Sequence, residues 1–304
     1  MVGFIAKRLL SAIPLLGIIV TVNFFVMRII PGGPFDRERP LPPEVRLNLE
    51  KKYHLNEPLF RQYLYYLGDL ARGDLGLSMK YTDSTVNEVI AGSLPNSMAL
   101  GALALALSVA AGVAAGVAGA AWSERAGGRF LAAGTTLGVC IPSFVIGPLL
   151  VLVFARTLGW FDVQGWGEPR KMVLPVLALS GYYTAYIARL TRAGILEEFG
   201  KDYVRTARAK GLSWSRVLIR HVLKNGITPV VSYLGPATAA VLTGSVVVEK
   251  IFNIPGIGRD FVSAPLNRDY TLVMGVVLVY SLFLIFFNLL SEVALGLLDP
   301  RVRK

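Results

Sequence analysis

The dominant feature of this chain is a set of six long apolar blocks separated by charged segments. A helix needs about 20 residues to cross the roughly 30 Å hydrocarbon core of a bilayer. Each block is about that long or longer, and none has Asp, Glu, Lys or His at its centre. The pattern predicts six transmembrane helices, at Leu9–Ile30, Leu94–Trp122, Leu131–Leu158, Met172–Leu190, Ile227–Val248 and Thr271–Leu298.

The composition argues for a membrane protein and against several other classes. Hydrophobic residues make up 54% of the 304 residues and charged residues only 17%. The formal net charge is +11, but the basic residues lie between the apolar blocks, so we expect no nucleic-acid partner. Cys140 is the single cysteine and can form no internal disulfide. The two histidines, His54 and His221, are far apart in sequence, so we expect no metal site.

Lysine and arginine are distributed unequally between the segments that connect the spans. Six spans place both termini on one side of the membrane, where the short segments carry fifteen basic residues, against five on the other side. Cytoplasmic segments are enriched in Lys and Arg, so we expect both termini in the cytoplasm of a bacterial inner (plasma) membrane. Residues 31–94 carry eight basic and nine acidic residues, and this segment is too long for the rule to apply.

The apolar blocks divide the chain into three parts. Residues 1–30 hold a cytoplasmic N-terminus and a first span that is too long for a cleaved signal peptide. Residues 31–94 are expected to form a small extracytoplasmic cap with short helices at Pro43–Tyr53 and Glu57–Arg72. Residues 95–304 hold the other five spans. The second cap helix should end at Gly73 and bury one apolar face, formed by Leu59, Tyr63, Tyr66, Leu67 and Leu70.

The second span is rich in glycine and alanine and includes the motif Gly112-x-x-x-Gly116. Lipid chains give helices no hydrophobic reason to associate, so close packing through small residues supplies the attraction. The motif predicts either packing within the chain, which we favour, or a contact with a second subunit.

The fifth span is interrupted by Pro229, Gly235, Pro236 and Gly244. A helix with such interruptions is tolerated where neighbouring helices or a water-filled path satisfy the freed carbonyl groups. This span therefore either lines a translocation pathway or is only kinked. If it lines a pathway, the candidate lining residues beside it are Asn23, Ser232, Tyr233, Pro236 and Thr243.

The segment between the fourth and fifth spans, residues 191–226, carries eight basic and three acidic residues. We predict a short helix that begins with Asp202 as N-cap, runs to Lys210 and ends at Gly211. A second helix should follow from Ser213 to about Asn225. On chemistry alone, this segment could simply orient the protein and touch anionic lipid.

The residue pattern of this segment resembles the coupling loop of ATP-binding-cassette importer permeases, in particular the peptide and nickel branch. The broad signature of these permeases is Glu-Ala-Ala with Gly six residues after the Glu. Here Arg205, Thr206, Ala207 and Gly211 occupy those positions, and the leading acid is absent, as in that branch. Similar segments occur along the whole chain, at Lys7–Pro14, Pro31–Phe35, Gly73–Ser78, Ile254–Gly258, Leu266–Tyr270 and Asp299–Arg301. Residues 41–87 are most similar to B-type permease subunits of oligopeptide importers.

This resemblance implies a pore-forming subunit that works with a second related permease, two cytoplasmic ATPases and an extracytoplasmic binding protein. The chain has no Gly-x-x-x-x-Gly-Lys-Ser/Thr phosphate loop, so ATP and Mg²⁺ are expected on the partner ATPases, with no catalytic or cofactor-binding residue here. Small residues at Ala207 and Ala209 should keep the loop helix slim enough to enter a cleft. The implied coupling residues are Asp202, Tyr203, Arg205, Thr206, Ala207, Arg208, Lys210 and Gly211.

Other functional classes fit the sequence less well. A proton- or sodium-coupled transporter keeps ionisable residues within its spans, and an intramembrane protease needs catalytic His, Asp or metal ligands there. A passive channel has no use for a coupling loop. We therefore expect an all-α membrane protein of about six transmembrane helices that imports oligopeptides. Dipeptide, nickel, glutathione or oligosaccharide import stays open within the family.

Overall fold

The chain folds almost entirely into helices in a computed structural model that describes residues 2–29, 33, 35, 43–81, 83–163 and 165–298. The helices of this described part are α1 (Val2–Ile29), α2 (Pro43–Lys52), α3 (Leu59–Ala71), α4 (Val86–Ala121), α5 (Ala126–Cys140), α6 (Ser143–Leu150), α7 (Pro169–Phe199), α8 (Asp202–Ala209), α9 (Trp214–Val217), α10 (Leu223–Gly226), α11 (Thr228–Leu242), α12 (Val246–Ile251), α13 (Ile257–Leu266) and α14 (Tyr270–Leu298). Two π-helical stretches, Val151–Thr157 and Leu218–Val222, continue α6 and α9.

Five of the predicted spans correspond to single apolar stretches, and the third does not. Those five lie at Ala6–Ile29, Val86–Ala121, Pro169–Phe199, Thr228–Ile251 and Tyr270–Leu297. Instead of one straight helix at Leu131–Leu158, the chain forms α5 and then a second helix at Ser143–Thr157, bent by 101° from the first. The cause is Pro142, which disfavours helical geometry in the residue before it, and Ile141 accordingly adopts ψ 117°.

The direction of the helices shows that the bent pair is one crossing. Helices α4 and α7 run parallel, as their contacts show: Gly112 packs against Ile187, and Gly116, one turn further along α4, packs against Thr191, one turn further along α7. The chain must therefore return between them to the end at which α4 began. Along this return, Gly138 lies against Ala185 and Ile146 against Gly181, so the pair runs antiparallel to α7. The fold thus has six crossings, as predicted.

Glycine sets the distance between α4 and α7. A Cβ atom at Gly116 would lie 2.5 Å from Thr191 Cβ and 2.6 Å from the Ala188 carbonyl oxygen. No side chain fits in that space, so the two backbones are in direct contact. The Gly112-x-x-x-Gly116 motif therefore packs within the chain, which confirms the favoured prediction.

The remaining spans define two ends of the molecule, which we name the cap end and the loop end. Helix α11 is antiparallel to α4, since Gly101 lies against the Val241 carbonyl oxygen and Ser97 near Gly244. Helix α1 is antiparallel to α14, since Arg8 pairs with Glu292 and Asn23 bonds to Met274. At the loop end, Arg8 Nε lies 2.8 Å from Glu292 Oε2. At the cap end, Gly275 packs against Val86.

Helix α3 packs on α1 through aromatic residues. Phe24 is fully buried between Tyr63 and Tyr66, with ring centroids 5.2 and 5.6 Å away, and Tyr63 Oη shares a 2.7 Å hydrogen bond with Thr21 Oγ1. Burial raises the pKa of Tyr66 to about 12. Gly73 follows the helix with φ 77°, as its predicted stop requires. The prediction that Leu59 belongs to the buried face is wrong. Leu59 is the first residue of α3 and is 51% exposed.

Candidate coupling and translocation sites

The basic loop folds as a short helix that is bounded much as the sequence predicts. Helix α8 runs from Asp202 to Ala209, and Gly211 follows with φ 77°. The Gly211 N–H donates to the Arg208 carbonyl oxygen at 2.9 Å, so the glycine ends the helix as predicted. The predicted N-cap is wrong by one residue: Lys201 has the extended cap geometry. Asp202 lies within the first turn, where the helix dipole favours its charge.

The inner face of α8 packs against the rest of the loop. Val204 and Ala207 lie in an apolar cluster with Ala120, Ile195, Val217, Leu218 and Val222. Ala207 is only 6% exposed, whereas Ala209 is exposed. Of the two alanines expected to keep the helix slim, Ala207 therefore packs inward, because residues 204 and 207 share the inward face of the helix, and Ala209 lies on the outer surface.

The outer face of α8 is polar and mostly basic. Arg205 forms a 3.6 Å ion pair with Asp202, and the Arg208 guanidinium lies 5.7 Å from the centre of the Phe199 ring. The exposed residues are Asp202, Tyr203, Arg205, Thr206, Arg208, Ala209 and Lys210. This face can offer several cations and a small side chain to an acidic, concave surface.

A buried carboxylate fastens α8 to the end of α7. Glu198 is 6% exposed and accepts hydrogen bonds from Lys201 Nζ and from the Tyr203 hydroxyl. Asn225 Nδ2 donates to the same hydroxyl at 3.4 Å. The hydrogen bond to Glu198 raises the pKa of Lys201, and burial followed by the same carboxylate raises the pKa of Tyr203. We call Glu198, Lys201 and Tyr203 the latch.

The latch was missed in the sequence. Its signal was present, since Glu198 and Lys201 are three residues apart at the junction of two helices, a spacing that brings side chains together. Tyr203 could not be added from spacing alone, because a chain turn at Gly200 separates it from α7.

The predicted pathway residues do not form one group. Thr243 lies at the end of α11, and the Tyr233 ring contacts the Tyr186 ring of α7 in a tilted arrangement, with ring centroids 4.5 Å apart. Ser232 and Pro236 are exposed on α11.

Asn23 lies elsewhere, so its predicted place beside the fifth span is wrong. It donates to the Met274 carbonyl oxygen at 3.4 Å. The α14 residues that face Thr243 are Val276 and Tyr280, which lie on the opposite side of that helix from Met274.

A cavity of about 380 Å³ lies between α11, α13 and α14. Its described lining residues are Ala240, Thr243, Gly244, Val246, Ile257, Gly258, Phe261, Val276 and Tyr280. None of these described residues is charged, and the lining is apolar except for the Thr243 and Tyr280 hydroxyls. Within the described ranges, no three His, Cys, Asp or Glu residues are grouped so as to hold a metal ion. The cavity can therefore accept neutral polar or apolar groups.

Glu249 lies beside this cavity and is completely buried. It accepts hydrogen bonds from Ser97 Oγ at 2.7 Å and from the Arg259 N–H at 3.0 Å. A Cβ atom at Gly256 would lie 2.5 Å from Glu249 Cδ, so this backbone can approach the carboxylate only because it is glycine. The Ile254–Gly258 segment noted in the sequence is therefore a cradle for Glu249.

A second buried carboxylate, Asp269, joins the cap to α14. It accepts hydrogen bonds from the Met79 N–H at 3.0 Å, the Leu272 N–H at 3.1 Å and the Ser78 hydroxyl. Gly73–Ser78 and Leu266–Tyr270, two of the segments that resemble importer permeases, thus meet at one carboxylate.

Asp260 is also buried at the cap end. Burial raises its pKa, against the opposing hydrogen bond from Ser93. Neither Asp260 nor the other two cap-end acids was identified from the sequence.

The six crossings and the basic helical loop define a multi-pass membrane protein with an uncharged cavity between its helices. Residues 89–304 match the family described as "Binding-protein-dependent transport system inner membrane component", and the chain belongs to this family. The matched region begins in the first turns of α4 and includes the basic loop with α8.

Several curated relatives are similar over the full chain. It is 46% identical to the oligopeptide transport system permease protein OppB of Haemophilus influenzae and 48% identical to OppB of Salmonella typhimurium, with 100% of both chains covered in each case. It is 41% identical to the dipeptide transport system permease protein DppB of Bacillus subtilis, covering 100% of this chain and 98% of that one. Among solved structures, an amino acid ABC transporter aligns with a TM-score of 0.49 and 18% identity, over 71% of this chain and 94% of that one.

Proposed function

We propose that this chain is a pore-forming permease subunit of an ATP-driven, binding-protein-dependent importer that moves oligopeptides across a bacterial inner membrane. The observation that carries the proposal is the full-length identity of 46–48% to OppB permeases. The uncharged cavity supports it, since a path for peptides of varied sequence must not favour one charge. Dipeptide import is the second candidate, supported by the 41% identity to a DppB permease.

The proposed assembly contains a second related permease, two cytoplasmic ATPases that bind ATP and Mg²⁺, and an extracytoplasmic binding protein. This chain acts as a transport subunit without catalysis of its own. The loop end faces the cytoplasm together with both termini. The support is the excess of basic residues in the short segments of that side, fifteen against five.

We assign the entry of ATPase movement to α8. Its outer face presents Arg205, Arg208 and Lys210 for acidic partner groups, and exposed Ala209 leaves room for close approach. The latch then ties α8 to the end of α7, so a displacement of the loop helix moves a spanning helix with it. Gly211 keeps α8 short and separate from the second loop helix.

We assign the translocation path to the wall formed by α11. Tyr233, Ala240 and Thr243 lie on one side of that helix at intervals of seven and three residues, and the cavity opens beside the last two. Ser232 and Pro236, exposed on the same helix, border this wall.

The coupling role is tested by placing a large side chain on the outer face of α8. Ala209→Trp in the complete complex, reconstituted in proteoliposomes with binding protein, should abolish most peptide uptake and stimulated ATP hydrolysis together, because the bulky ring prevents close docking. Ser215→Trp, at an exposed position beyond α8, is the matched control and should retain both activities. Normal uptake by the Ala209→Trp complex, with its ATPases bound, would refute the coupling role of α8.

Orientation is tested by cysteine labelling. Asn48 is exposed on α2 and suits a reporter cysteine, provided that exposed Cys140 is first replaced by serine. A membrane-impermeant reagent should label Asn48→Cys only from outside the cytoplasm. Labelling from the cytoplasmic side alone would reverse the proposed topology.

A further inference from the structure

Four tyrosines from two spanning helices lie side by side within the membrane domain, and a fifth, on a third spanning helix, lines the cavity beside α11. Tyr182 contacts Tyr183 and Tyr186 on α7, with ring centroids 5.4 and 6.1 Å apart, and Tyr186 contacts Tyr233 on α11 at 4.5 Å. Tyr280 on α14 lines the cavity that also holds Thr243 of α11. We call these five tyrosines and Thr243 the hydroxyl strip.

The five phenol hydroxyls have no hydrogen-bond partner among the described residues. Three tyrosines outside the spans do have partners: Tyr53 donates to the Ser78 carbonyl oxygen at 2.7 Å, Tyr63 forms a 2.7 Å hydrogen bond with Thr21, and Tyr203 donates to Glu198. The tyrosines of the strip are half-buried or, for Tyr280, 39% exposed. Their hydroxyls therefore open onto space outside this chain, and not onto its own polar groups.

The depth of these residues makes a lipid-facing role unfavourable. At about 1.5 Å per residue, Tyr183 lies about 21 Å along α7 and Tyr280 about 15 Å along α14, well inside a hydrocarbon core of roughly 30 Å. A hydroxyl without a partner in an apolar medium costs about 1–3 kcal/mol. Aromatic residues that anchor a protein at the membrane surface lie at the interface, which these depths exclude for Tyr183 and Tyr280. The strip must face water, solute or another protein.

We propose that the hydroxyl strip lines the translocation path and binds the main chain of the passing peptide. This inference rests on the proposed function and names the chemical groups that the path recognises. A phenol hydroxyl both donates and accepts, so it can pair with the C=O and N–H groups that every peptide carries. The strip contains no charge, so it does not favour particular side chains. Single neutral hydrogen bonds are weak enough to be exchanged as the peptide advances.

The test removes hydroxyls and keeps the rings. Tyr183→Phe, Tyr186→Phe, Tyr233→Phe and Tyr280→Phe are combined in one chain, and the complete complex with its binding protein is assayed for uptake in proteoliposomes. The quadruple variant, with all four substitutions, should take up a neutral oligopeptide about three- to tenfold more slowly than the natural protein. Its affinity for nucleotide should be unchanged. Tyr53→Phe and Tyr63→Phe are the matched controls. They remove the same atom from the cap and should retain at least half of the uptake.

A second substrate separates main-chain recognition from a general defect. The same peptide with N-methylated amides lacks the N–H donors, so it should already be taken up poorly by the natural protein and lose little more in the quadruple variant. Equal losses for both peptides would overturn main-chain recognition. Suppose instead that the variant with four Tyr→Phe changes takes up peptide normally in the membrane but loses its partner permease during purification. The strip would then be a contact between subunits, and this result would also overturn the proposal.

A failure of the proposed function can be distinguished from a failure of the hydroxyl-strip proposal by the uptake of the natural complex. If the natural complex takes up no peptide but imports another solute, the oligopeptide assignment falls whatever the variants do. Water access is measured independently with Tyr183→Cys in a Cys140→Ser background. A hydrophilic thiol reagent should modify this cysteine in the assembled complex, and saturating oligopeptide should slow the modification at least twofold. A cysteine that stays unreactive in every nucleotide state would show that the strip does not line an aqueous path.

Discussion

The two ends of this molecule hold buried carboxylates in different ways. At the loop end, Glu198 is bound by side chains that follow it closely in sequence, Lys201 and Tyr203. At the cap end, the partners come from much further along the chain, since Glu249 accepts from Ser97 and Asp269 from Met79. The loop end therefore depends on a local, partly charged contact, whereas the cap end is joined by long-range bonds from neutral donors.

These two kinds of contact indicate which end of the molecule can rearrange more easily. The latch can open by the rotation of two exposed side chains, Lys201 and Tyr203, without unpairing a backbone group. The cradle of Glu249 cannot open without leaving backbone N–H groups unpaired, because its donors include the Arg259 N–H. We expect the cap end to move as a rigid unit and the loop end to adjust locally.

The largest expected effect comes from removing the carboxylate of Glu249. Glu249→Ala leaves Ser97 and the Arg259 N–H without their acceptor and opens a void, so the complex should lose at least about 3 kcal/mol of stability. Thermal unfolding of the purified complex in detergent measures the loss. Glu197→Ala, whose side chain is 75% exposed, is the control and should unfold as the natural protein does. Equal unfolding of the two variants would contradict a rigid cap end.

A smaller and more local effect is expected from Asp269→Asn. The asparagine amide has the same shape as the carboxylate but only one acceptor oxygen. In the natural protein, Met79 and Leu272 donate to one oxygen of Asp269 and Ser78 donates to the other, so the variant cannot accept all three bonds. The cap should loosen by about 1–3 kcal/mol while the spans stay folded. Amide hydrogen exchange of residues 76–81 should rise, and that of α7 should not. Exposed Asp83→Asn is the control. Exchange that rises equally along the whole chain would show that the cap is not a separate unit.

Lys201→Met is expected to change stability least of the three variants. It should nevertheless reduce the coupling of uptake to ATP hydrolysis. The latch loses its cation but keeps Tyr203, so uptake per ATP hydrolysed should fall about two- to threefold with little change in unfolding. Exposed Lys224→Met is the control.

Because Glu198 raises the pKa of Lys201, the contribution of the natural pair is fully present at neutral pH. It should be lost as the pH rises through that elevated pKa, above the ordinary 10.5. Unfolding measured between pH 9 and 12 should show this loss only in proteins that retain Lys201. Identical pH profiles for the natural protein and Lys201→Met would contradict the latch.

Much of the fold could be predicted from the sequence because its signals are local. Apolar block length gave the spans, Gly211 and Gly73 marked helix ends, and Gly112-x-x-x-Gly116 indicated a close helix pair. Pro142 also marks a break, but nothing nearby in sequence determines the 101° angle, which depends on packing against α7 and α12.

The candidate sites were predicted less completely because their partners are distant in sequence. Ser97 and Glu249 are 152 residues apart, and Ser78 and Asp269 are 191 apart, so no local pattern connects them. Asn23 was misplaced because α14 has two occupied faces, and only the packed structure shows which one α1 contacts. Tyr233 and Thr243 were identified as pathway candidates, but their tyrosine neighbours on α7 and α14 were not.

Helix α7 has a mechanical consequence. It runs without interruption through 31 residues, from Pro169 near the cap end to Phe199 beside the latch. At 1.5 Å per residue, it is a lever about 46 Å long, and a tilt of about 5° at the latch would displace its far end by about 4 Å. That far end bears Leu174, packed among Val248, Phe252 and Ile254 next to the Glu249 cradle. A small rotation of α7 at the loop end would thus move its far end, with Leu174, by about the width of a side chain at the opposite side of the membrane domain.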